Sequence, residues 1–289
     1  MLVFTRSITQ ARHAMTDKFA IFGNPVAQSK SPPIHQQFAD QFGLQIDYIR
    51  MLSTDEQFVG DLKQFFFDGA AGCNVTAPFK ELAFQSCDSL TDKAARARAV
   101  NTVFKQSDNT LLGHNSDGIG LVTDIVQNKQ ITIRDRHIMI LGAGGATRGI
   151  LEPIIAEQPC RITLANRTVA RARSLAAEFE DLYTMQVTST DSPEYESSPD
   201  LLINATSASL SADVPVKDTA VIAKGTVCYD LSYAAQPTSF LQWAKAHGAA
   251  RSIDGKGMLV EQAANSFYVW TGHEPETSNV IRWLEKNCG

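Results

Sequence analysis

The segment RHIMILGAGGATRGI, residues 136–150, decides the fold. Its four apolar residues from Ile138 to Leu141 form a continuous run, which is typical of a strand buried on both faces of a parallel sheet. Gly142 and Gly144 then allow a tight turn and a close approach to a pyrophosphate, and the N–H groups at the start of the next helix can bind phosphate. A strand, a glycine turn and a helix in this order favour a dinucleotide-binding unit over a plain glycine-rich turn.

The same segment departs from the usual motif at one position. Thr147 stands where a third glycine or an alanine is usual, so Gly145 and Ala146 are expected to supply the close packing of the helix. Pro153 lies inside the predicted helix, where it removes a hydrogen bond and usually causes a kink.

The end of the next predicted strand indicates which dinucleotide binds. NAD sites usually carry an acidic residue there, whereas this strand ends in ANRT, and Arg171 follows one turn later. Guanidinium groups suit a 2′-phosphate through charge-assisted bonds, so the pattern favours NADP. The alternative is that Arg167 and Arg171 are two solvated arginines of a helix.

Outward from this unit, strand and helix patterns alternate along the chain. In the N-terminal part, the strands KFAIFG, DYIRML and GCNVT are separated by a helix from about Ser31 to Phe42 and a second helix that ends at Gly69. This rhythm predicts a mostly parallel sheet covered by helices. After residue 255 the chain reads as helices, and periodicity alone does not say which module they pack on. The fold class is therefore α/β with two modules.

Composition excludes several functions. The 289 residues are 44% hydrophobic and 20% charged with a net charge of −5, and without a run of Lys and Arg nucleic acid is not an expected partner. No apolar stretch approaches the roughly 18 residues of a membrane helix. Five cysteines without a CxxC pair predict free buried thiols in the cytoplasm, and the histidine spacing predicts no metal site.

The stretch NVTAPFK, residues 74–80, contains an unexpected lysine. Pro78 reads as the first residue of a helix, with Thr76 or Ala77 as its cap, so Lys80 falls in the first helical turn. A cation is disfavoured there by roughly 0.3–1 kcal/mol at an exposed site. A chemical role for Lys80 would explain its position.

Two further stretches in the N-terminal module carry polar side chains at predicted helix starts. In QSKSPPIH, Ser31 before Pro32 reads as a helix cap, but Ser29 and Ser31 at a helix N-terminus would also suit a small carboxylate. In GHNSDGIG, Asp117 reads either as a turn or cap residue or as a functional group. The residues alone leave both choices open.

Together these stretches resemble the shikimate dehydrogenase family. The resemblance runs from about Phe19 to the C-terminus and rests on motifs in the family's order: SKSPPIH, NVTAPFK, AVNT, GHNSDGIG, GAGGATR, NRT, NATS, YDLSY and GMLVEQAANSFYVWTG. It implies a two-domain protein with a discontinuous N-terminal α/β substrate domain, residues 1–117 with the helices of 255–289 returning to it. Residues 118–254 would form the Rossmann-like NADP-binding domain, and the active site would lie in the cleft.

The resemblance also implies roles for matching residues. Lys80 and Asp117 would be the catalytic pair at the hydroxyl that is oxidised to a ketone. Shikimate would be bound by Ser29, Ser31, Thr76, Asn101, Tyr233 and Gln262. NADP would be bound by Gly142, Gly144, Gly145, Ala146, Asn166, Arg167, Thr168, Arg171, Leu231 and Gly257, with Met258 also near the nicotinamide. Lys256 and Glu261 bring charge to the C-terminal motif, where the family usually has small or apolar residues.

The family also explains the position of Lys80. Oxidising a secondary alcohol by hydride transfer needs a group that takes the hydroxyl proton, and the reverse reaction needs an acid, so Lys80 and Asp117 are assigned as a coupled pair. Three alternatives stay open: a quinate/shikimate dehydrogenase that uses NAD, a non-catalytic ligand sensor on the same fold, and a dehydrogenase of similar shape acting on folate substrates. The family implies a monomer or a homodimer.

Overall fold

The computed structural model describes residues 16–191, 197–206, 208, 213–216 and 218–287. The strands are β1 (Asp17–Gly23), β2 (Ile46–Leu52), β3 (Gly72–Val75), β4 (Ser89–Leu90), β5 (Thr102–Lys105), β6 (Leu111–His114), β7 (His137–Leu141), β8 (Arg161–Ala165), β9 (Gln186–Thr188), β10 (Leu201–Asn204), β11 (Val227–Asp230) and β12 (Arg251–Ile253). The α-helices are α1 (Ser31–Gln41), α2 (Phe58–Phe67), α3 (Lys80–Ser86), α4 (Asp92–Ala97), α5 (Asp117–Thr123), α6 (Gly145–Ala156), α7 (Val169–Glu178), α8 (Ser239–Ala246), α9 (Lys256–Thr271) and α10 (Ser278–Asn287). A π-helical turn, Asp124–Asn128, continues α5. Among the described residues, no helix is both long and apolar enough to span a bilayer.

The strands form two sheets. The first has the order β2-β1-β3-β5-β6-β4, and its strands β1, β2 and β3 are parallel as predicted. Strand β5 is antiparallel to both β3 and β6, so this sheet is mixed. Only β5 runs antiparallel, since β4 and β6 are parallel to each other. These three strands lie within residues 89–114, where the sequence pattern predicted no strand.

The second sheet has the order β12-β11-β10-β7-β8-β9, and its pairs are all parallel. Strand β7, which contains the apolar run from Ile138 to Leu141, lies at the centre and is buried along its whole length. Helix α6 packs against it through Ile150 and Ile154, both fully buried in one large apolar core. The prediction of a buried parallel strand followed by a helix is confirmed.

Helix α5 joins the two sheets and packs closely on both sides. At Gly118 an added Cβ would lie 2.5 Å from Pro153 Cγ and 2.6 Å from the Gly149 carbonyl oxygen of α6. At Gly120 it would lie 2.7 Å from the backbone nitrogen of Gln262 in α9. Pro153 stays inside α6, and because it has no N–H, the Gly149 carbonyl lacks its usual helical donor where α5 packs against it.

The C-terminal helices pack on the first unit. Phe267 and Val260 of α9 share one apolar cluster with Ile34 and Phe38 of α1, and α10 adds Leu284 to it. The periodicity did not assign these helices to either module. Their packing agrees with a discontinuous first domain, while the division at 117/118 and at 254/255 stays a prediction.

Two predicted helix starts differ from the structure. Helix α3 begins at Lys80 with Phe79 as its N-cap, so Pro78 lies in the preceding turn and is not the first helical residue. Ser31 is the first residue of α1 and makes no capping bond, with Lys30 at the N-cap position. Lys80 is nevertheless in the first turn, as predicted.

The cysteines follow the prediction only in part. Cys73, Cys87, Cys160 and Cys228 are free thiols, and Cys73 and Cys228 are buried. Cys160 is exposed, because it lies in the short loop between α6 and β8. Cys288 lies outside the described residues, as do residues 1–15 at the start of the predicted first domain.

Candidate active site

A cavity of about 300 Å³ lies between the two sheets. Its walls come from the loop after β1, the end of β3, the start of α6, the segment after β11, and helix α9. Ligands of open α/β sheets bind beyond the carboxyl ends of the strands, which is where these segments meet. The residues predicted to act on the substrate all line this cavity: Ser29, Ser31, Thr76, Lys80, Asn101, Asp117, Tyr233 and Gln262.

A larger cavity of about 740 Å³ lies elsewhere, between α5, α9 and residues 274–277. It is lined by Glu261, Glu274 and Glu276 and by none of the predicted site residues. No group of three or more His, Cys, Asp or Glu that could hold a metal occurs in the described part of the chain. We therefore take the smaller cavity as the candidate active site.

Lys80 and Asp117 form an ion pair on the wall of this cavity. The Lys80 Nζ lies 2.6 Å from Asp117 Oδ2, and the side chains are 31% and 12% exposed. Residue 80 is positioned by the start of α3 and residue 117 by the start of α5, so two helix N-termini bring together groups 37 positions apart. The pair is within reach of a ligand in the cavity, and its carboxylate is more shielded from water than its ammonium group.

Asn101 fixes the second oxygen of the carboxylate. Its Nδ2 donates to Asp117 Oδ1 at 2.8 Å, and its Oδ1 accepts from the backbone N–H of Ser116 at 2.9 Å. The backbone N–H of Asp117 donates to Asn115 Oδ1 at 3.0 Å. Both carboxylate oxygens and the backbone of Asp117 are therefore held, which leaves this group little freedom to rotate.

Behind Asn101 lies a buried polar residue that the sequence reading missed. Asn74 is 4% exposed, and its Nδ2 donates to the Asn101 carbonyl at 3.1 Å and to Ser266 Oγ at 3.0 Å. Its Oδ1 accepts from the Tyr48 hydroxyl at 2.7 Å and from His35 Nε2 at 3.2 Å. The available signal was an amide inside the otherwise apolar buried strand GCNV, since buried polar groups need partners.

His35 remains neutral in this network. Burial lowers its pKa to about 3, although the Asn74 bond opposes this shift. Because Asn74 Oδ1 is an acceptor, Nε2 carries the proton. His35 therefore acts as a neutral donor behind the site.

The serines lie at another part of the cavity wall. The Ser29 hydroxyl accepts from the Ser31 backbone N–H at 3.2 Å and lies 3.3 Å from Ser31 Oγ. The two hydroxyls are thus held together next to the first turn of α1. Hydroxyl donors beside a helix N-terminus can bind a carboxylate.

The opposite wall comes from the second unit and from α9. Leu231, Tyr233, Gly255 and Met258 line the cavity. Gly257 does not, because its Cα packs on the buried Asp124 carboxylate, where an added Cβ would lie 1.9 Å from Oδ1. The structure therefore places Gly257 behind the wall that its neighbours form.

The glycine turn after β7 has room for a ligand. Gly142 has φ +107°, which an L side chain rarely adopts, and the buried Thr147 donates to its carbonyl at 3.0 Å. An added Cβ at Gly144 or Gly145 would meet no atom within 4 Å. The expected close packing by Gly145 and Ala146 is wrong, because both are exposed, and Ala146 lines the cavity instead.

This turn fits the pyrophosphate of a dinucleotide. The first N–H groups of α6 have no partners within the helix, and open space lies beyond the glycines. The end of β8 is adjacent, because the Gly142 N–H donates to the Ala165 carbonyl at 2.8 Å.

The residues after β8 lie outside the cavity. Asn166 Nδ2 donates to the Thr168 carbonyl at 2.9 Å, which shapes the loop. Arg167 and Arg171 are exposed, and neither forms a salt bridge with a described residue. Their guanidinium groups are thus available to an anion beside the glycine turn.

The two charges in the C-terminal motif lie away from the cavity lining. Lys256 Nζ pairs with Asp254 at 3.0 Å. Glu261 accepts from Asn128 Nδ2 at 2.8 Å, and the same nitrogen donates to Asp124 at 3.0 Å. Burial raises the pKa of Glu261, and its neighbours Asp124 and Glu276 add to this shift.

The fold and the site define a class, the two-unit α/β oxidoreductases that bind a dinucleotide on one unit and the substrate between the units. Family models match three parts of the chain: the shikimate dehydrogenase substrate binding domain at residues 21–103, shikimate / quinate 5-dehydrogenase at 124–222, and the shikimate 5'-dehydrogenase C-terminal domain at 255–282. The chain belongs to the shikimate dehydrogenase family.

Individual relatives agree with this assignment. The NADP(+) shikimate dehydrogenase of Aeromonas salmonicida is 45% identical over 273 residues, which is 94% of this chain and 99% of that protein. The crystal structure of an Ael1 enzyme from Pseudomonas putida has a TM-score of 0.88 at 39% identity and covers 93% of this chain and 98% of its own. Shikimate 5-dehydrogenase from Thermus thermophilus, in complex with NADP(H) and shikimate, has a TM-score of 0.83 at 30% identity. The match covers 95% of this chain and 100% of that chain.

Proposed function

We propose that this protein catalyses the reversible NADPH-dependent reduction of 3-dehydroshikimate to shikimate. The observation that carries the proposal is the Lys80–Asp117 ion pair on the wall of a cavity that also presents Ser29 and Ser31. The curated relatives are NADP(+) shikimate dehydrogenases, and the match covers nearly the whole length of each, which supports the same activity here.

In the proposed site the serine hydroxyls bind the substrate carboxylate, assisted by Tyr233. The ring hydroxyls contact Thr76, Asn101 and Gln262. Such fixed contacts orient the substrate so that its reacting carbon faces the wall of Leu231 and Met258, where the nicotinamide would lie. Orientation of this kind supplies a large part of catalysis. NADPH supplies the hydride when it is bound at the glycine turn, with its 2′-phosphate near Arg167 and Arg171.

The proton is handled by the ion pair. During reduction, Lys80 donates a proton to the oxygen on which negative charge develops, and Asp117 stabilises the ammonium group and holds it in place. In the reverse direction the pair accepts the hydroxyl proton. Asn101 keeps the carboxylate oriented through its bond to Oδ1. Because the two groups are in direct contact, they act as one coupled unit.

The proposed enzyme has two domains and acts in the cytoplasm. Residues 1–117 with 255–289 form the substrate domain, and residues 118–254 form the NADP domain. The free thiols of the described cysteines suit a reducing cytoplasm. The protein would be a monomer or a homodimer, which light scattering on a sizing column distinguishes.

The proposal is tested by following NADPH absorbance with shikimate and NADP⁺. The assay is repeated with quinate, with NAD⁺ and with the variant Lys80→Ala; Lys63→Ala, at an exposed residue of α2, is the control for lost charge. We expect turnover with shikimate and NADP⁺, and a fall in kcat of about 100-fold or more in Lys80→Ala with little change in KM for shikimate.

Other outcomes would change the assignment. Comparable turnover with quinate or NAD⁺ would place the protein with enzymes of broader specificity. A loss in Lys80→Ala that lies entirely in KM would leave Lys80 a binding residue. Tight binding of both ligands without turnover would indicate a sensor.

A further inference from the structure

The loop that carries Ser29 is held by an arginine of a neighbouring strand. Arg50 lies in β2, the edge strand of the first sheet, and is paired in register with Ile21 of β1. Its Nη2 donates to the Ser29 carbonyl oxygen at 2.6 Å, and its Nε donates to the same oxygen at 3.1 Å. Two N–H groups of one guanidinium therefore hold one backbone oxygen at a position 21 residues earlier in the chain.

The other bonds of Ser29 are local. Its N–H donates to the Val26 carbonyl at 3.0 Å, and its hydroxyl interacts only with Ser31 among the described residues. The bond from Arg50 therefore ties this turn to the sheet. If the Ser29 carbonyl moves, its hydroxyl moves as well, and with it the bond that the hydroxyl accepts from the Ser31 N–H.

A second residue of β2 supports the same end of the cavity. Tyr48 lies two positions before Arg50, so both side chains are on one face of the strand. The Tyr48 hydroxyl donates to Asn74 Oδ1 at 2.7 Å, and the Ser31 side chain lies close enough to influence the pKa of this phenol. One face of β2 thus supports both the Ser29 loop and Asn74 from outside the cavity.

Arg50 also carries a charge that the described residues do not neutralise. It forms no salt bridge with them, and its side chain is exposed to solvent. Arg50 does not line the cavity itself. Its geometry is that of a support for the loop, since both observed bonds end on the backbone.

We propose that Arg50 is a positioning residue for the recognition of the substrate carboxylate: it holds the Ser29 carbonyl so that the hydroxyls of Ser29 and Ser31 face the ligand. This inference rests on the proposed function. It predicts an effect on substrate affinity without an effect on the chemical step, because Lys80 and Asp117 are held by α3 and α5 and not by this loop.

The test compares three variants, Arg50→Gln, Arg50→Lys and the control Lys30→Gln. The control removes a positive charge from the same loop, at a residue with no side-chain hydrogen bond to Ser29. Each is assayed with NADP⁺ and either shikimate or its methyl ester, which lacks the carboxylate charge. Thermal unfolding of each variant checks that the fold is kept.

We expect Arg50→Gln to raise KM for shikimate about 10-fold, a typical effect of losing a hydrogen bond from a charged group, with kcat changed less than about twofold. Arg50→Lys should behave similarly, because an ammonium group lacks the planar fork that places two N–H groups on one oxygen. Lys30→Gln should leave KM near the wild-type value. The rise in KM from shikimate to its methyl ester should be smaller in Arg50→Gln than in wild type, because the carboxylate site is already impaired in the variant.

Several results would overturn the inference. One is an unchanged KM in Arg50→Gln, and another is an equal rise in Lys30→Gln, which would show an effect of charge alone. A KM for shikimate at the wild-type value in Arg50→Lys would also show that the positive charge alone is sufficient. If KM rises equally from shikimate to its methyl ester in wild type and in Arg50→Gln, Arg50 has no role in recognising the substrate carboxylate. If the wild-type protein does not turn over shikimate, the proposed function itself fails, which is visible before any variant is made.

Discussion

The close contact between α5 and α6 at Gly118 gives the sharpest prediction. A Cβ at this position would lie 2.5 Å from Pro153 Cγ and 2.6 Å from the Gly149 carbonyl oxygen. Ordinary contacts of this kind begin at 3.4 Å, so Gly118→Ala must separate the helices by about 0.9 Å. Neither neighbour can yield alone, since one is a proline ring within a helix and the other is backbone.

The required shift affects stability and catalysis together. Overpacking of a well-packed contact costs about 1–3 kcal/mol, and each kcal/mol lowers Tm by roughly 2–4 °C in a chain of this size. Residue 117 directly precedes residue 118, so the same movement acts on the 2.6 Å contact between Lys80 and Asp117. A displacement of about 1 Å at reacting groups can cost 100-fold in rate, and we expect kcat to fall about 10- to 100-fold.

The assay combines thermal unfolding with NADPH-linked kinetics. The matched control is Gly60→Ala, because Gly60 is also helical but has no atom within 4 Å of an added Cβ. This control should be stabilised by about 0.5–1 kcal/mol, since alanine is the better helix former, and it should keep its activity. Wild-type Tm and kcat in Gly118→Ala would show that the two helices adjust freely and would refute the reasoning.

Two further predictions concern the buried carboxylate and the cofactor. Burial raises the pKa of Glu261, so the folded state holds its proton to a higher pH than the unfolded state, and stability falls as pH rises above about 4.5. Glu261→Gln should reduce this loss of stability with rising pH, which denaturant unfolding at several pH values measures. If the free energy of unfolding depends on pH in the same way in wild type and variant, the prediction is wrong. Replacing Arg167 and Arg171 with Gln should raise KM for NADP⁺ at least about 30-fold and leave KM for NAD⁺ nearly unchanged, and an equal effect on both cofactors would exclude contact with the 2′-phosphate.

Much of the active site was visible in the sequence because its signals are local. The buried run from Ile138 to Leu141 and the glycines after it indicate a strand and a phosphate-binding turn by periodicity and backbone freedom alone. Lys80 was conspicuous because a cation at a helix start is unfavourable. The family resemblance then named residues that the structure brings to one cavity, although their assigned roles stay predictions.

Other features depended on contacts between distant parts of the chain. The antiparallel strand β5 and the short strands around it carry weak local patterns, and they form because β3 offers a partner edge. Helix starts were misjudged by one or two residues at Ser31 and Lys80, where the proline signal and the backbone geometry differ.

The sequence by itself determined an α/β chain with a glycine turn between a buried strand and a helix, and it predicted a basic 2′-phosphate site and a catalytic lysine, because each of these signals depends on neighbours within a few residues. Only the tertiary structure decided how Asn74 links Tyr48 to Asn101, how Arg50 holds Ser29, and why Gly118 and Gly257 must be small. These are contacts between segments roughly 20 to 190 positions apart or between packed helices. Such contacts are set by the packing of the two sheets and the helices between them, which no local pattern encodes.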